Sequence, residues 1–159
     1  MLKLDRKIKL IATDFDGVMT DGFVYFSSNS LEEQKKMSFK DIMGLSLAVK
    51  NGYRVAFISG EKNHIITNLA SRFKIEDVYQ GIRDKLSVLK GIAEKYSLSP
   101  DEICYIGDDI NDIAALEFAG TAITVPDANY KVHLVQNIQI THASAGNGAF
   151  REVVDSLLV

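Results

Sequence analysis

Asp14 and Asp16 stand two residues apart in Ile11-Ala-Thr-Asp14-Phe-Asp16-Gly-Val-Met-Thr20-Asp21-Gly22, directly after a short apolar run. If residues 8–13 form a strand, its alternation turns both carboxylates toward one pocket at the C-terminal end. Two carboxylates that close repel each other unless something neutralises them. A hard divalent cation such as Mg2+ does so with oxygen ligands and keeps room for a substrate phosphate. A pair of this kind also suits a solvated turn, so its meaning depends on what the rest of the chain brings beside it.

Three other segments end in reactive groups. The apolar run 54–58 leads into Ser59-Gly60, a hydroxyl and an unobstructed N–H that together suit a phosphate cradle. Lys85 opens a helix expected over 84–96, in which Leu86, Leu89, Ile92, Ala93 and Tyr96 form one apolar stripe. A cation at a helix start opposes the dipole and requires an anionic partner. Lys90 and Lys95, further along, read as a solvated face. The run 103–106 leads into Gly107-Asp108-Asp109-Ile-Asn111-Asp112, a second acidic cluster. In an open parallel sheet ligands bind outside the carboxyl ends of the strands, so these four tips are expected to converge.

The elements that must hold them alternate along the chain. Helices are expected over 41–51, 62–73, 84–96 and 111–118, and strands over 8–13, 54–58, 78–79, 103–106 and 122–125. Such alternation implies an α/β fold, a doubly wound, Rossmann-like parallel sheet with helices on both faces, forming a single domain over 1–159. Phe150, Val153, Val154, Leu157 and Leu158 fall at helical spacing, so 148–158 should dock as a last helix. The exception is 23–39, where Val24 and Phe26 alternate, Ser27-Ser-Asn-Ser30 is a turn cluster, and Lys36-Met-Ser-Phe39 alternates again. A β-hairpin is expected there.

With 159 residues and 47% hydrophobic content the chain can bury a core, and its net charge of −3 with scattered basic residues gives no nucleic-acid surface. No apolar stretch approaches the ~20 residues of a membrane span, and 1–9 lacks a signal-peptide core, so a cytoplasmic protein is expected. The single cysteine, Cys104, reads as inert packing in a buried strand. His64, His133 and His142 show no paired metal spacing.

The ordered set Asp-x-Asp, Ser, Lys and Gly-Asp-Asp resembles the haloacid dehalogenase superfamily of phosphohydrolases, over residues 8–125. The resemblance implies that Asp14 is a nucleophile forming an aspartyl phosphate and that Asp16 is acid and then base. Mg2+ would be held by Asp14, the Asp16 carbonyl and Asp108, with Asp109 or Asn111 in support. Ser59, Gly60 and Lys85 would bind phosphoryl oxygens. Many members insert a cap domain after the first or second motif. Here those gaps hold only the hairpin with one helix, and one helix with a short strand, so no cap domain fits. An uncapped site suits a large substrate, or a small one enclosed by neighbouring subunits.

Phe23, Tyr25, Phe26 and Phe39 give the hairpin more apolar surface than a solvated flap should expose, which points to burial against another chain. The tail His142-Ala-Ser-Ala-Gly146-Asn-Gly148-Ala-Phe-Arg151-Glu has glycines able to bring backbone near a ligand. Its Arg151 either meets an anion or simply begins a helix. Together with Tyr79-Gln80-Gly81 ahead of Lys85, these features resemble the capless tetrameric phosphatases of 3-deoxy-D-manno-octulosonate 8-phosphate, over essentially the whole chain. The resemblance implies a homotetramer assembled by the hairpins and hydrolysis of a sugar-acid phosphate, a step toward lipopolysaccharide.

Two positions depart from that pattern. Lys40-Asp41-Ile42 stands where the family has Arg-Asp-Gly, and Glu61-Lys62 where it has an arginine. Gly-Glu-Lys is more similar to relatives acting on nine-carbon acids, 2-keto-3-deoxynononate 9-phosphate or acylneuraminate 9-phosphate. Glu61 could then accept hydrogen bonds from sugar hydroxyls and Lys62 meet the carboxylate, or both could merely open a helix and face solvent. Related domains also occur fused to sugar-nucleotide synthetases, where some serve assembly rather than catalysis, which leaves a non-catalytic reading. A phospho-receiver domain would carry its acceptor aspartate where Ser59 stands. A monomeric chain would suit a protein phosphatase.

Overall fold

The computed structural model describes residues 2–29 and 32–159. β1 (Leu10–Thr13) lies at the centre of a six-stranded, wholly parallel sheet, between β4 (Arg54–Ser59) and β6 (Ile103–Ile106). β5 (Asp77–Gln80) flanks β4, and β7 (Thr121–Thr124) followed by β8 (Gln139–Ile140) extends the other side, giving the order β5-β4-β1-β6-β7-β8.

Both faces are buried, and strict alternation divides each strand between two cores. Ile11, Val55, Phe57, Cys104 and Ile106 face one side, where α1 (Phe39–Lys50), α2 (His64–Phe73) and α5 (Ala149–Leu157) contribute Leu45, Ile66, Phe150 and Val153. Leu10, Ala12, Ala56, Ile58, Ile103 and Tyr105 face the other, against Leu89, Ile92 and Leu116 of α3 (Lys85–Lys95) and α4 (Ile113–Phe118). The doubly wound α/β expectation holds in its particulars, down to the burial of Cys104, which pushes its thiol pKa up to about 12.

The boundaries differ where capping decides them. α1 begins at Phe39 because the Ser38 side chain accepts the Lys40 N–H, so Phe39 belongs to a helix rather than to the hairpin. α2 starts at His64, capped by Asn63, which leaves Lys62 in the preceding loop instead of the first turn. Asn111 lies in a 3-10 turn, Ile110–Asp112, that precedes α4. Gln139–Ile140 pairs with β7 although its two residues carry too little pattern to read as a strand.

The hairpin is shorter than 23–39. β2 (Tyr25–Phe26) pairs antiparallel with β3 (Glu33–Gln34), and a single bridge, Thr20 to Met37, ties its base to the loop after β1. Of the turn cluster 27–30, Ser30 lies outside the described residues. Among the described residues only this hairpin separates β1 from α1, and only α2 and β5 separate β4 from α3, so no cap domain stands over the strand ends. No helix among the described residues is long and apolar enough to cross a membrane.

Candidate active site

Because β1 is central, Asp14 at its tip is 6% exposed and has neighbours from both flanking strands. Its Oδ1 accepts the Phe15 N–H at 2.6 Å, and its Oδ2 lies 2.8 Å from Lys85 Nζ. Lys85 follows the N-cap Asp84 and points into the protein, where its ammonium also meets Asp112 Oδ1 at 2.7 Å. Burial alone would lower the Lys85 pKa, but the charges of Asp14 and Asp112 outweigh it and hold it raised. The anionic partner this helix start requires is thus a pair of carboxylates.

Asp112 is fully engaged as an anchor. Its Oδ1 also accepts the Tyr105 hydroxyl at 2.7 Å, and its Oδ2 accepts the N–H groups of Asp108 and Asp109 at 3.1 and 3.2 Å. Gly107 makes room for it, since a Cβ there would stand 2.5 Å from the Asp112 Cβ.

Asp108 is different. Its Oδ1 is buried and has no hydrogen-bond partner among the described residues. One carboxylate oxygen from each of Asp14, Asp108 and Asp112 falls within 4.8 Å of the others. Burial first, then the Asp112 charge, raises the Asp14 pKa to about 7; burial, then Asp14 and Asp112, raises Asp108 to about 8. An orphaned carboxylate oxygen beside a second carboxylate, with Lys85 the one cation paired to these three acids among the described residues, fits a hard divalent cation such as Mg2+. Asp109, expected to support the metal site, is outside this cluster. It caps the Ile110–Asp112 turn, with Oδ1 accepting from the Ile110 N–H and from Asn129 Nδ2 at 2.8 and 3.1 Å, and Asp112 takes its place in the carboxylate group.

Asp16 is held on both oxygens. The Thr20 hydroxyl reaches Oδ1 at 3.2 Å and Lys35 Nζ reaches Oδ2 at 2.8 Å. Next in the chain, Gly17 adopts φ +83° and passes so close to Asp108 that a Cβ would lie 2.0 Å from its Oδ2.

A cavity of about 270 Å³ opens over these groups, lined by Asp14, Asp16, Ser59, Gly60, Glu61, Asp108, Asp109 and Asn111. Lys85 lies beneath it rather than in its wall. The Ser59 hydroxyl closes a small turn, donating to the Glu61 carbonyl at 2.9 Å and accepting from the Glu61 N–H at 3.2 Å. Lys62 does not reach the cavity. Its side chain lies over Gly81, in a separate depression with Asn63, His64 and Gln80.

The tail packs on its own chain. The Gly146 N–H donates to the Val18 carbonyl at 2.9 Å, and a Cβ on Gly146 would come within 2.4 Å of the Asp21 nitrogen. Buried Asp41 accepts the N–H groups of Gly148 and Arg151 at 2.9 and 3.0 Å, capping α5. Arg151 itself pairs with Asp155, one turn on in α5, at 2.7 Å. His142 pairs with Glu152, and His133 Nε2 meets the Val125 carbonyl.

Three groups were not singled out from sequence: Lys35, Thr20 and Asp112. Asp112 had a signal, its i+4 spacing from Asp108 across a turn. Lys35 had none, because nothing local tells an inward lysine from its neighbour Lys36.

A central parallel strand ending in Asp-x-Asp, with a buried lysine and a second acidic loop from the adjoining strands, defines a phosphohydrolase-type site. The family model of haloacid dehalogenase-like hydrolases matches residues 23–152. The 3-deoxy-D-manno-octulosonate 8-phosphate phosphatase KdsC of Salmonella typhi is 34% identical over 154 residues, covering 97% of this chain and 81% of its own. The protein of the same name from Escherichia coli (strain K12) is 33% identical with the same coverage. The crystal structure of the 3-deoxy-D-manno-octulosonate 8-phosphate phosphatase from Moraxella catarrhalis, in complex with magnesium ion, phosphate ion and KDO molecule, superposes with a TM-score of 0.89. It is 34% identical, over 96% of this chain and 87% of that one. This chain belongs to the haloacid dehalogenase-like hydrolase family.

Proposed function

We propose that this protein is a Mg2+-dependent phosphomonoesterase that hydrolyses 3-deoxy-D-manno-octulosonate 8-phosphate to the free sugar acid and inorganic phosphate. The observation that carries the reading is Asp14, a buried carboxylate held by Lys85 beside the orphaned Asp108 oxygen at the floor of an open cavity. The names of the 33–34% identical relatives, and the magnesium, phosphate and KDO in the Moraxella catarrhalis structure, support the substrate and the metal.

Asp14 attacks phosphorus in line, the P–O bond to the sugar breaks, and Asp16 gives its proton to the departing alkoxide. Water then attacks the aspartyl phosphate, Asp16 takes the proton, and phosphate leaves with Asp14 restored. Lys85 orients the Asp14 carboxylate and favours its ionised form against the burial that opposes it. Gly60 and Ser59 line the wall that faces the transferred phosphoryl group, and Asn111 lies across from Gly60. Asp14, Asp108 and the main-chain carbonyl of Asp16 would hold Mg2+, with Asp112 and Asp109 fixing the loop behind them. The ion, when bound, neutralises the carboxylates and stabilises charge on the phosphoryl oxygens.

Phe23 and Phe26 are 67% and 71% exposed on the hairpin, which supports a homotetramer assembled through that element, a cytoplasmic enzyme whose small sugar-acid substrate is closed in by a neighbouring chain. A second reading, a nine-carbon acid 9-phosphate, is favoured by Glu61 on the cavity wall.

The test is phosphate release with Mg2+ from the eight-carbon 8-phosphate, the nine-carbon 9-phosphates and an aryl phosphate. Preference for the eight-carbon ester is expected. Preference for a nine-carbon ester makes Glu61 the specificity element, and no hydrolysis of any revives the assembly-module reading.

A further inference from the structure

Lys35 lies on the returning arm of an otherwise exposed hairpin. Glu33, Gln34 and Lys36 face solvent, yet the Lys35 side chain is 6% exposed and ends on Asp16 Oδ2. We propose that Lys35 is a positioning residue of the reaction, fixing with Thr20 the orientation of the Asp16 carboxyl group, which delivers its proton to the leaving group and regains one from the attacking water. This rests on the acid–base role given to Asp16 above.

Three observations carry it. First, the two oxygens of Asp16 are gripped from opposite sources, Thr20 in the loop after β1 and Lys35 in the hairpin, so the carboxylate cannot rotate without breaking one contact. Second, both arms of the hairpin are tied to that same loop. The Asp21 carboxylate accepts the Phe23 N–H at 3.1 Å and the Tyr25 hydroxyl at 2.5 Å, while the Asp21 N–H donates to the Lys36 carbonyl at 3.2 Å. The bridge from Thr20 to Met37 completes the tie. Third, ordering a long lysine side chain and taking its ammonium out of water against a half-buried acid costs rotamer entropy and desolvation that offset the attraction of the pair, so stability alone is a poor reason for the arrangement. Geometry at the reacting atoms is a better one, because small misplacements of a catalytic group are costly in rate.

The experiment compares kcat/KM on the primary sugar-acid phosphate that the parent hydrolyses best with kcat/KM on p-nitrophenyl phosphate, whose aryl leaving group departs without a proton. Lys35→Met is expected to lose about 10-fold or more on the alkyl ester and no more than about 3-fold on the aryl ester, a part of the 10²–10⁴ typical of general acid catalysis. The inhibition constant of inorganic phosphate should stay at the parent value, and Lys35→Arg should recover the alkyl rate in part. Equal losses on both esters overturn the proposal, as does a phosphate inhibition constant that rises in step with the loss, which would make Lys35 a binding cation. Asp16→Asn is run alongside. If it lacks the alkyl-selective loss, the acid role of Asp16 falls and the proposal with it; if it shows the loss and Lys35→Met does not, only the proposal falls. Melting and gel filtration check the fold, and Lys35→Gln carries the same comparison if Lys35→Met does not fold.

Discussion

The Lys85 ammonium lies 2.7 Å from Asp112 Oδ1, with both side chains wholly out of water and 27 positions apart in the chain. Neither is tolerable there alone, because an unpaired buried charge is costly whereas the pair is mutually satisfied. Asp112→Ala leaves Lys85 with Asp14 only and frees the Tyr105 hydroxyl and two N–H groups. The expected loss is about 3–5 kcal/mol in urea unfolding, with activity falling because Lys85 is then drawn wholly onto the nucleophile.

Asp14→Asn should abolish turnover while the fold survives. The amide keeps the shape of the side chain, and its oxygen can still accept the Phe15 N–H. Phosphate release and a far-UV spectrum check this together, and appreciable remaining activity would remove Asp14 from the nucleophilic role.

Gly17→Ala tests the loop geometry without replacing a charged group. The new methyl would meet Asp108 at 2.0 Å on a backbone with φ +83°. Asp108 must move, and Mg2+ affinity is expected to weaken by about 10- to 100-fold, the scale of losses when the support of a metal ligand is disturbed. Titration calorimetry with Mg2+ measures it directly.

Metal and pH should be linked with a definite sign. Carboxylate pKa values raised from 3.8 to about 7 and about 8 mean that the folded, metal-free protein holds protons the unfolded chain has released. That stabilisation is full below 3.8 and is lost as pH rises through the folded values. The melting temperature without metal should therefore fall across that window, and the gain on adding Mg2+ should grow over the same range. A gain independent of pH would exclude Asp14 and Asp108 as ligands.

Phe26→Ser, at an exposed site on the hairpin, should lower the apparent mass on gel filtration if the hairpin joins copies of the chain. Sugar-acid phosphate hydrolysis should decline with it, while hydrolysis of p-nitrophenyl phosphate is retained. An unchanged elution volume would leave the apolar hairpin without this role.

The order of strands and helices, the burial of both sheet faces and the convergence of Asp14, Asp16, Ser59 and Asp108 were legible from periodicity and strand-end chemistry. These signals are local, and the parallel α/β arrangement has few topological solutions once they alternate. What only the tertiary structure decided were the partners. Lys85 points down to Asp112, Lys35 turns in while Lys36 turns out, Asp109 becomes a turn cap, and Lys62 falls outside the cavity. Each choice depends on which backbone passes nearby: Gly17 beside Asp108, Gly107 beside Asp112, Asp21 under the hairpin. A residue's type and spacing limit the chemistry it can do. Whether a charge is paired, orphaned or solvated depends on neighbours tens of positions away, and those come together only when the chain folds.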